Sequence, residues 1–123
     1  NALRLRRHVV DEKTRKVEDL ERMIREFDVM AGDLDRQIQA EEDRTGIRDK
    51  AHFSYSTFAK SAAQRRDNLR TSTDAMREQL AEAVRERDEA AEAFTRFAAQ
   101  IEVRDESRSS RRRSERAAGA VLR

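Results

Sequence analysis

VEDLERMIREFDVMAGDLDRQI, residues 17–38, repeats apolar side chains every seven positions in two offset rows: Val17, Ile24, Ala31 and Ile38 in one, Leu20, Phe27 and Leu34 in the other. Side chains spaced three and four apart share one face of an α-helix, so two such rows make a heptad seam that needs a partner helix. Leu3 and Val10 carry the first row back toward the N-terminus, but the second row meets Arg6 and Lys13 there and Glu41 beyond Leu34. The apolar contact is therefore strongest from Val17 to Ile38. Met23 and Met30 flank the stripe and widen it. The pattern breaks at Thr45-Gly46, where glycine can take the left-handed conformation that ends a helix.

After a polar segment the period resumes with Phe58 and Ala62. Leu69, Met76, Ala83, Ala90 and Phe97 then recur at intervals of seven, beside a companion row of Thr73, Leu80, Arg87, Phe94 and Ile101. Ser54 is the expected N-cap, with Phe53 and Phe58 placed as a hydrophobic staple. The reading is helix one over about 3–44, a turn over about 45–55, helix two over about 56–116, roughly 90 Å long, and a tail at 117–123 with no clear signal. Two seams joined by so short a connection close as neighbours, giving an all-α fold: two long helices in an antiparallel coiled-coil hairpin, one domain over 1–123.

A turn centred near residue 50 sets the register, with facing residues numbered to sum to about 100. Val17 then meets Ala83, Ile24 meets Met76, Ala31 meets Leu69, Val10 meets Ala90 and Leu3 meets Phe97, so large residues repeatedly meet small ones. Lys13 falls opposite Arg87, a like-charge conflict that forces both heads outward toward Glu12, Glu86 or Asp88 and predicts a weak layer. Each buried Leu, Ile or Phe contributes roughly 1.5–3 kcal/mol while each ordered residue costs about 1–2 kcal/mol. A single seam leaves little margin, so the chain is expected to gain order from a partner or a second copy.

Composition agrees. Of the 123 residues, 37% are apolar and 42% charged, too polar for a thick globular core, yet 27 basic residues balance 25 acidic ones as solvated helices require. The absence of Pro, with Gly only at 32, 46 and 119, argues against many short elements. The absence of Cys excludes disulfides and thiolate chemistry and fits a cytosolic setting. No apolar run is long enough to span a bilayer or serve as a signal segment. The chain begins at Asn1 rather than Met, so native residues upstream of it are expected.

Charge is unevenly placed: residues 1–16 and residues 104–123 each sum to +4, leaving −6 between them. A hairpin puts both basic segments at one end, which would attract an anionic partner in a salt-dependent way. Catalytic constellations are missing. His8 and His52 lie far apart, Glu41 and Glu42 read as solvated charge, and no glycine-rich phosphate loop exists, so no catalysis, cofactor, metal or small-molecule substrate is expected. The stretch SRSSRRRSER (107–116) is the best nucleic-acid signal, but it lacks aromatics and is diluted by Asp105, Glu106 and Glu115, so a solvated helix end is the preferred reading. Phe53, Tyr55 and Phe58 gather at the turn, either as a small core sealing the tip or as a partner-binding patch.

Three segments, RLRRHVVDEKTRKV (4–17), GDLDRQIQAEEDRTGI (32–47) and above all HFSYSTFAKSAAQRRDNL (52–69), resemble the flagellar export protein FliJ family in its alphaproteobacterial form, over roughly residues 3–100. Relatives often carry Pro near the start of the second helix, where this chain has Ser56. The resemblance implies a non-enzymatic component of the flagellar type III export apparatus, an antiparallel coiled coil similar to the stalk subunit of rotary ATP synthases. The implied partners are the export ATPase ring, the cytoplasmic domain of the export gate and export chaperones. The implied location is cytoplasmic, peripheral to the inner membrane through those partners. By this analogy Arg4, Arg6, Arg7, Arg104, Arg108 and Arg111 are candidates for the ATPase contact, and Tyr55, Phe58, Arg65, Arg66 and Asn68 for the gate. A generic coiled-coil spacer or adaptor is the alternative, ahead of an arginine-rich nucleic-acid binder.

Overall fold

The computed structural model describes the backbone of residues 1–122 and the side chains of residues 1–120. It consists of two α-helices that pack against each other, α1 (Ala2–Thr45) and α2 (Thr57–Leu122). Asn1 caps α1, its Oδ1 accepting from the Arg4 N–H at 2.9 Å. The helix ends as its sequence dictates. Gly46 adopts a φ of 73° and its N–H donates to the Glu42 carbonyl at 2.8 Å, so one orphan carbonyl of the last turn is satisfied by the left-handed residue.

The connection is held by local bonds. The Ala51 N–H donates to Asp49 Oδ1, the His52 N–H to the Asp49 carbonyl and the Tyr55 N–H to the His52 carbonyl. The cap of α2 is Ser56, not Ser54: the Ala59 N–H donates to Ser56 Oγ at 3.1 Å and the Lys60 N–H to the Ser56 carbonyl. Ser56 wins because its hydroxyl also donates to Glu41 Oε1 at 2.9 Å, tying the start of α2 to the end of α1. The staple is absent as well: Phe53 is 95% exposed and stacks on the His52 ring, with centroids 4.7 Å apart. At its far end α2 runs to Leu122, beyond the expected limit near residue 116, because Ala117, Ala118 and Ala120 are strong helix formers and Gly119 alone does not stop the helix. Of the predicted tail, Arg123 lies outside the described residues.

Packing falls into two units. The first comprises residues 15–84. Within it Val17, Leu20, Ile24, Met76 and Ala83 form one buried cluster, edged by Phe27, Leu80 and Val84. Leu34, Ile38, Ala59 and Ala62 form another, edged by Tyr55, Ala63 and Leu69. Val17 shares its cluster with Ala83 and Ile24 with Met76, as the heptad register requires. Thr73, the polar member of the seam, is 2% exposed and turns its hydroxyl onto the Leu69 carbonyl at 2.9 Å, so it enters the core with its donor satisfied.

The second unit joins residues 1–14 to those from 85 onward. None of its described side chains is buried; Leu3, Val10, Ala90 and Phe97 are half-buried. At the conflicted layer, Lys13 Nζ reaches Glu86 Oε2 at 3.0 Å and Arg87 turns to Asp88, so the two cations part.

Candidate functional site

The turn-proximal candidates do not form one patch of uniform character. The Tyr55 hydroxyl donates to Glu42 Oε2 at 2.9 Å, and its ring packs on the second cluster; burial, then the carboxylate, pushes its pKa up. Tyr55 therefore serves the fold. Phe58, the second residue of α2, is 55% exposed. Arg66 is also structural. Its guanidinium donates to Asp35 Oδ1 at 2.8 Å and pairs with Asp67, and the bond to Asp35 raises its pKa further. Removing it would leave Asp35, one-third exposed, with only Arg70 at 2.6 Å.

Arg65 and Asn68 face elsewhere. With Met30, Asp33, Leu34 and Leu69 they border an open groove of about 460 Å³ that runs beside the seam, with Gln37 and Ser72 completing its walls. Sequence reasoning placed Arg65 and Asn68 among the candidates but missed the groove. Its signal was present in the seven-residue spacing of Met23 and Met30, which are 41% and 46% exposed.

Glu41 and Glu42, read from sequence as solvated charge, are the polar hinge of the turn. Arg44 first, then Ser56, hold the Glu41 carboxyl below the usual carboxylate range, and Glu42 takes the Tyr55 hydroxyl. Among the described residues no group of three or more His, Cys, Asp or Glu is placed to hold a metal ion.

In the terminal unit the arginines divide into two sets. The Arg6 guanidinium carbon lies 4.3 Å from the Phe97 ring centroid and that of Arg7 5.4 Å from Phe94, so these two cations cover the aromatic residues of the seam. Arg7 also reaches Asp11. Arg104, Arg108 and Arg111 are different: they are exposed and, among the described residues, make no ion pair. Because Arg6 sits at Phe97 and α1 begins at Ala2, α2 carries Arg111 roughly 15 Å past the first residue of α1. Every described residue from Glu102 to Ala120 is exposed. The result is a single helix, unsupported by α1, bearing arginines to which no acid is committed among the described residues.

Among the described residues no helix is long and apolar enough to cross a membrane. Comparison with protein-family models, with curated proteins and with solved structures returns no match.

Proposed function

We propose that this chain is a non-enzymatic component of a flagellar type III protein export apparatus, a stalk-like coiled coil that engages the export ATPase ring and the export gate and escorts export chaperones. The sequence resemblance at residues 4–17, 32–47 and 52–69 suggests the family. The observation that carries the reading is the solitary basic helix beyond Ile101, where Arg104, Arg108 and Arg111 stand exposed and, among the described residues, without an ion pair, next to the end of the hairpin that bears Arg4, Arg6 and Arg7. A helix that no neighbour stabilises, carrying cations that no neighbour neutralises, is suited to insertion into an acidic opening of a larger assembly. Location in the cytoplasm, at the inner membrane only through its partners, belongs to the same proposal.

The division of the arginines selects the test. Reversing Arg6 or Arg7 also removes a cation from Phe97 or Phe94, so binding loss in those variants mixes recognition with packing. The triple change Arg104→Glu, Arg108→Glu, Arg111→Glu touches no described contact. It is expected to abolish capture of the purified export ATPase at low salt while leaving helix content unchanged. Full retention of binding in that variant rejects the ring contact, and absence of binding by the wild type favours a generic coiled-coil spacer. On the gate side Phe58, Arg65 and Asn68 are accessible in a single copy of the chain, whereas Tyr55 and Arg66 are committed to intramolecular bonds. A Phe58→Ala variant that still binds the gate domain with undiminished affinity removes that residue from the contact.

A further inference from the structure

The two flanks of the seam in residues 15–84 are built differently. On one, ionic bonds bridge the helices: Asp35 takes Arg66 and Arg70, and Asp28 takes Arg77 at 3.2 Å. The other flank holds the groove, with Met30, Leu34 and Leu69 lining it, Asp33 on its α1 border and Arg65 and Asn68 on its α2 border. Arg65 makes no ion pair among the described residues, and Asp33 is engaged only by Arg36 of its own helix, both largely exposed. An apolar floor 46% open at Met30, bordered by one acid on one helix and one base on the other, is a half-finished interface.

We infer that this flank is the self-association surface of the chain, closing on the same flank of a second copy to make a four-helix arrangement. The charges specify both the occupant and its orientation. A two-fold axis parallel to the helices lays α1 of one copy over α2 of the other at the same level, because residues facing each other across the hairpin share that level. Asp33 of each copy then meets Arg65 of the other, so two ion pairs form at once. A two-fold axis crossing the helices would instead stack Asp33 on Asp33 and Arg65 on Arg65, which like charges oppose. Met30 of one copy lies over the Asn68 wall of the other, a flexible apolar side chain against a small uncharged surface. The geometry also answers the thin core, since a second hairpin takes the exposed part of Met30 and the half-buried Leu69 out of water.

The reciprocal pairing makes the proposal separable from any other use of the groove. Sedimentation of the wild type is expected to show a dimer. Asp33→Arg and Arg65→Glu variants should each be monomeric, because every homodimer they form brings like charges together. An equimolar mixture of the two should restore a dimer, since Asp33 of one variant meets Arg65 of the other and the introduced arginine meets the introduced glutamate. Because the chain has no cysteine, Asp33→Cys and Arg65→Cys chains report proximity directly: mixed and oxidised, they should give a disulfide-linked heterodimer in preference to either homodimer. A monomeric wild type, a mixture that stays monomeric while both variants keep their helix content, or cross-linking without preference for the mixed pair each overturns the inference. None of these readouts involves an export partner.

Discussion

Replacing glycine by alanine at two positions of α1 and its cap should move stability in opposite directions, and the structure sets both magnitudes. Gly46 lies at a φ of 73°, and a Cβ built there meets nothing within 4 Å. The cost of Gly46→Ala is therefore backbone alone: holding an L-residue in the left-handed region costs about 1–2 kcal/mol, with no collision to add and nothing for the new methyl to pack on. Gly32 lies inside the helix, and its Cβ would meet only Arg36 Nη1 at 3.8 Å, ordinary van der Waals spacing from the tip of a flexible side chain. Gly32→Ala therefore stabilises by roughly 0.5–1 kcal/mol, because alanine has fewer unfolded conformations to lose. Urea unfolding followed by circular dichroism at one protein concentration measures both, and Gly46→Asn should fall between wild type and Gly46→Ala because asparagine tolerates the left-handed region. Equal, same-signed shifts for the two alanines would refute the assignment of Gly46 as the helix stop. So would a Gly46→Ala protein as stable as wild type.

Val17 is 2% exposed in the seam, so Val17→Ala should cost about 2 kcal/mol in urea unfolding, whereas Val9→Ala, at a position 42% exposed, should stay within roughly 0.5 kcal/mol of wild type. Ser56→Ala should destabilise by about 1 kcal/mol through loss of the cap, while Ser54→Ala, two residues earlier, should leave the thermal midpoint unchanged. Glu41 has its pKa lowered by Arg44 and Ser56, so its contribution is complete above the ordinary carboxylate value and is lost as the pH falls through the depressed folded value. A thermal midpoint profiled against pH should lose part of its acid-side slope in Glu41→Gln. Tyr55 has its pKa raised, so stability should decline as the pH rises past the ordinary phenol value, and Tyr55→Phe should flatten that limb.

The fold was legible because it rests on one strong periodic signal. Val17, Ile24 and Leu34 leave no choice of face, and Gly46 leaves no choice of where the first helix stops. The start of the second helix was less legible, since Ser54 and Ser56 both satisfy a local capping rule. What separated them was Glu41, fifteen residues away, and a tertiary bond of that kind leaves no trace in a capping window. The aromatic residues at the turn were less legible for a related reason. Composition can gather Phe53, Tyr55 and Phe58, but only Tyr55 carries a hydroxyl, which it donates to Glu42, and its ring packs on the second cluster. Exposed Phe53 shows that a two-helix tip has area for one of them.

The difference between the flanks is the deepest consequence of this sequence, and it follows from which residues stand beside the seam. On α1 the positions of Asp28, Asp35 and Glu42 recur at seven on one side, while Met23 and Met30 recur at seven on the other. On α2 the guanidinium groups of Arg66, Arg70 and Arg77 turn to the acids. Placing the acids beside arginines on one flank closes that flank without apolar surface, because charge-assisted bonds hold the helices while their outer faces stay wet. Among the described residues of 15–84 it also leaves the methionine flank with no ion pair bridging the helices. A hairpin with one seam has few apolar side chains to bury, so a flank that exposes Met23 and Met30 sets stabilising contacts aside unless something covers them. Substituting Met30 by Gln should then separate two kinds of stability. If the flank is covered in solution, the midpoint falls and its dependence on protein concentration disappears; if the flank is bare, a half-exposed side chain is exchanged for another and neither quantity moves.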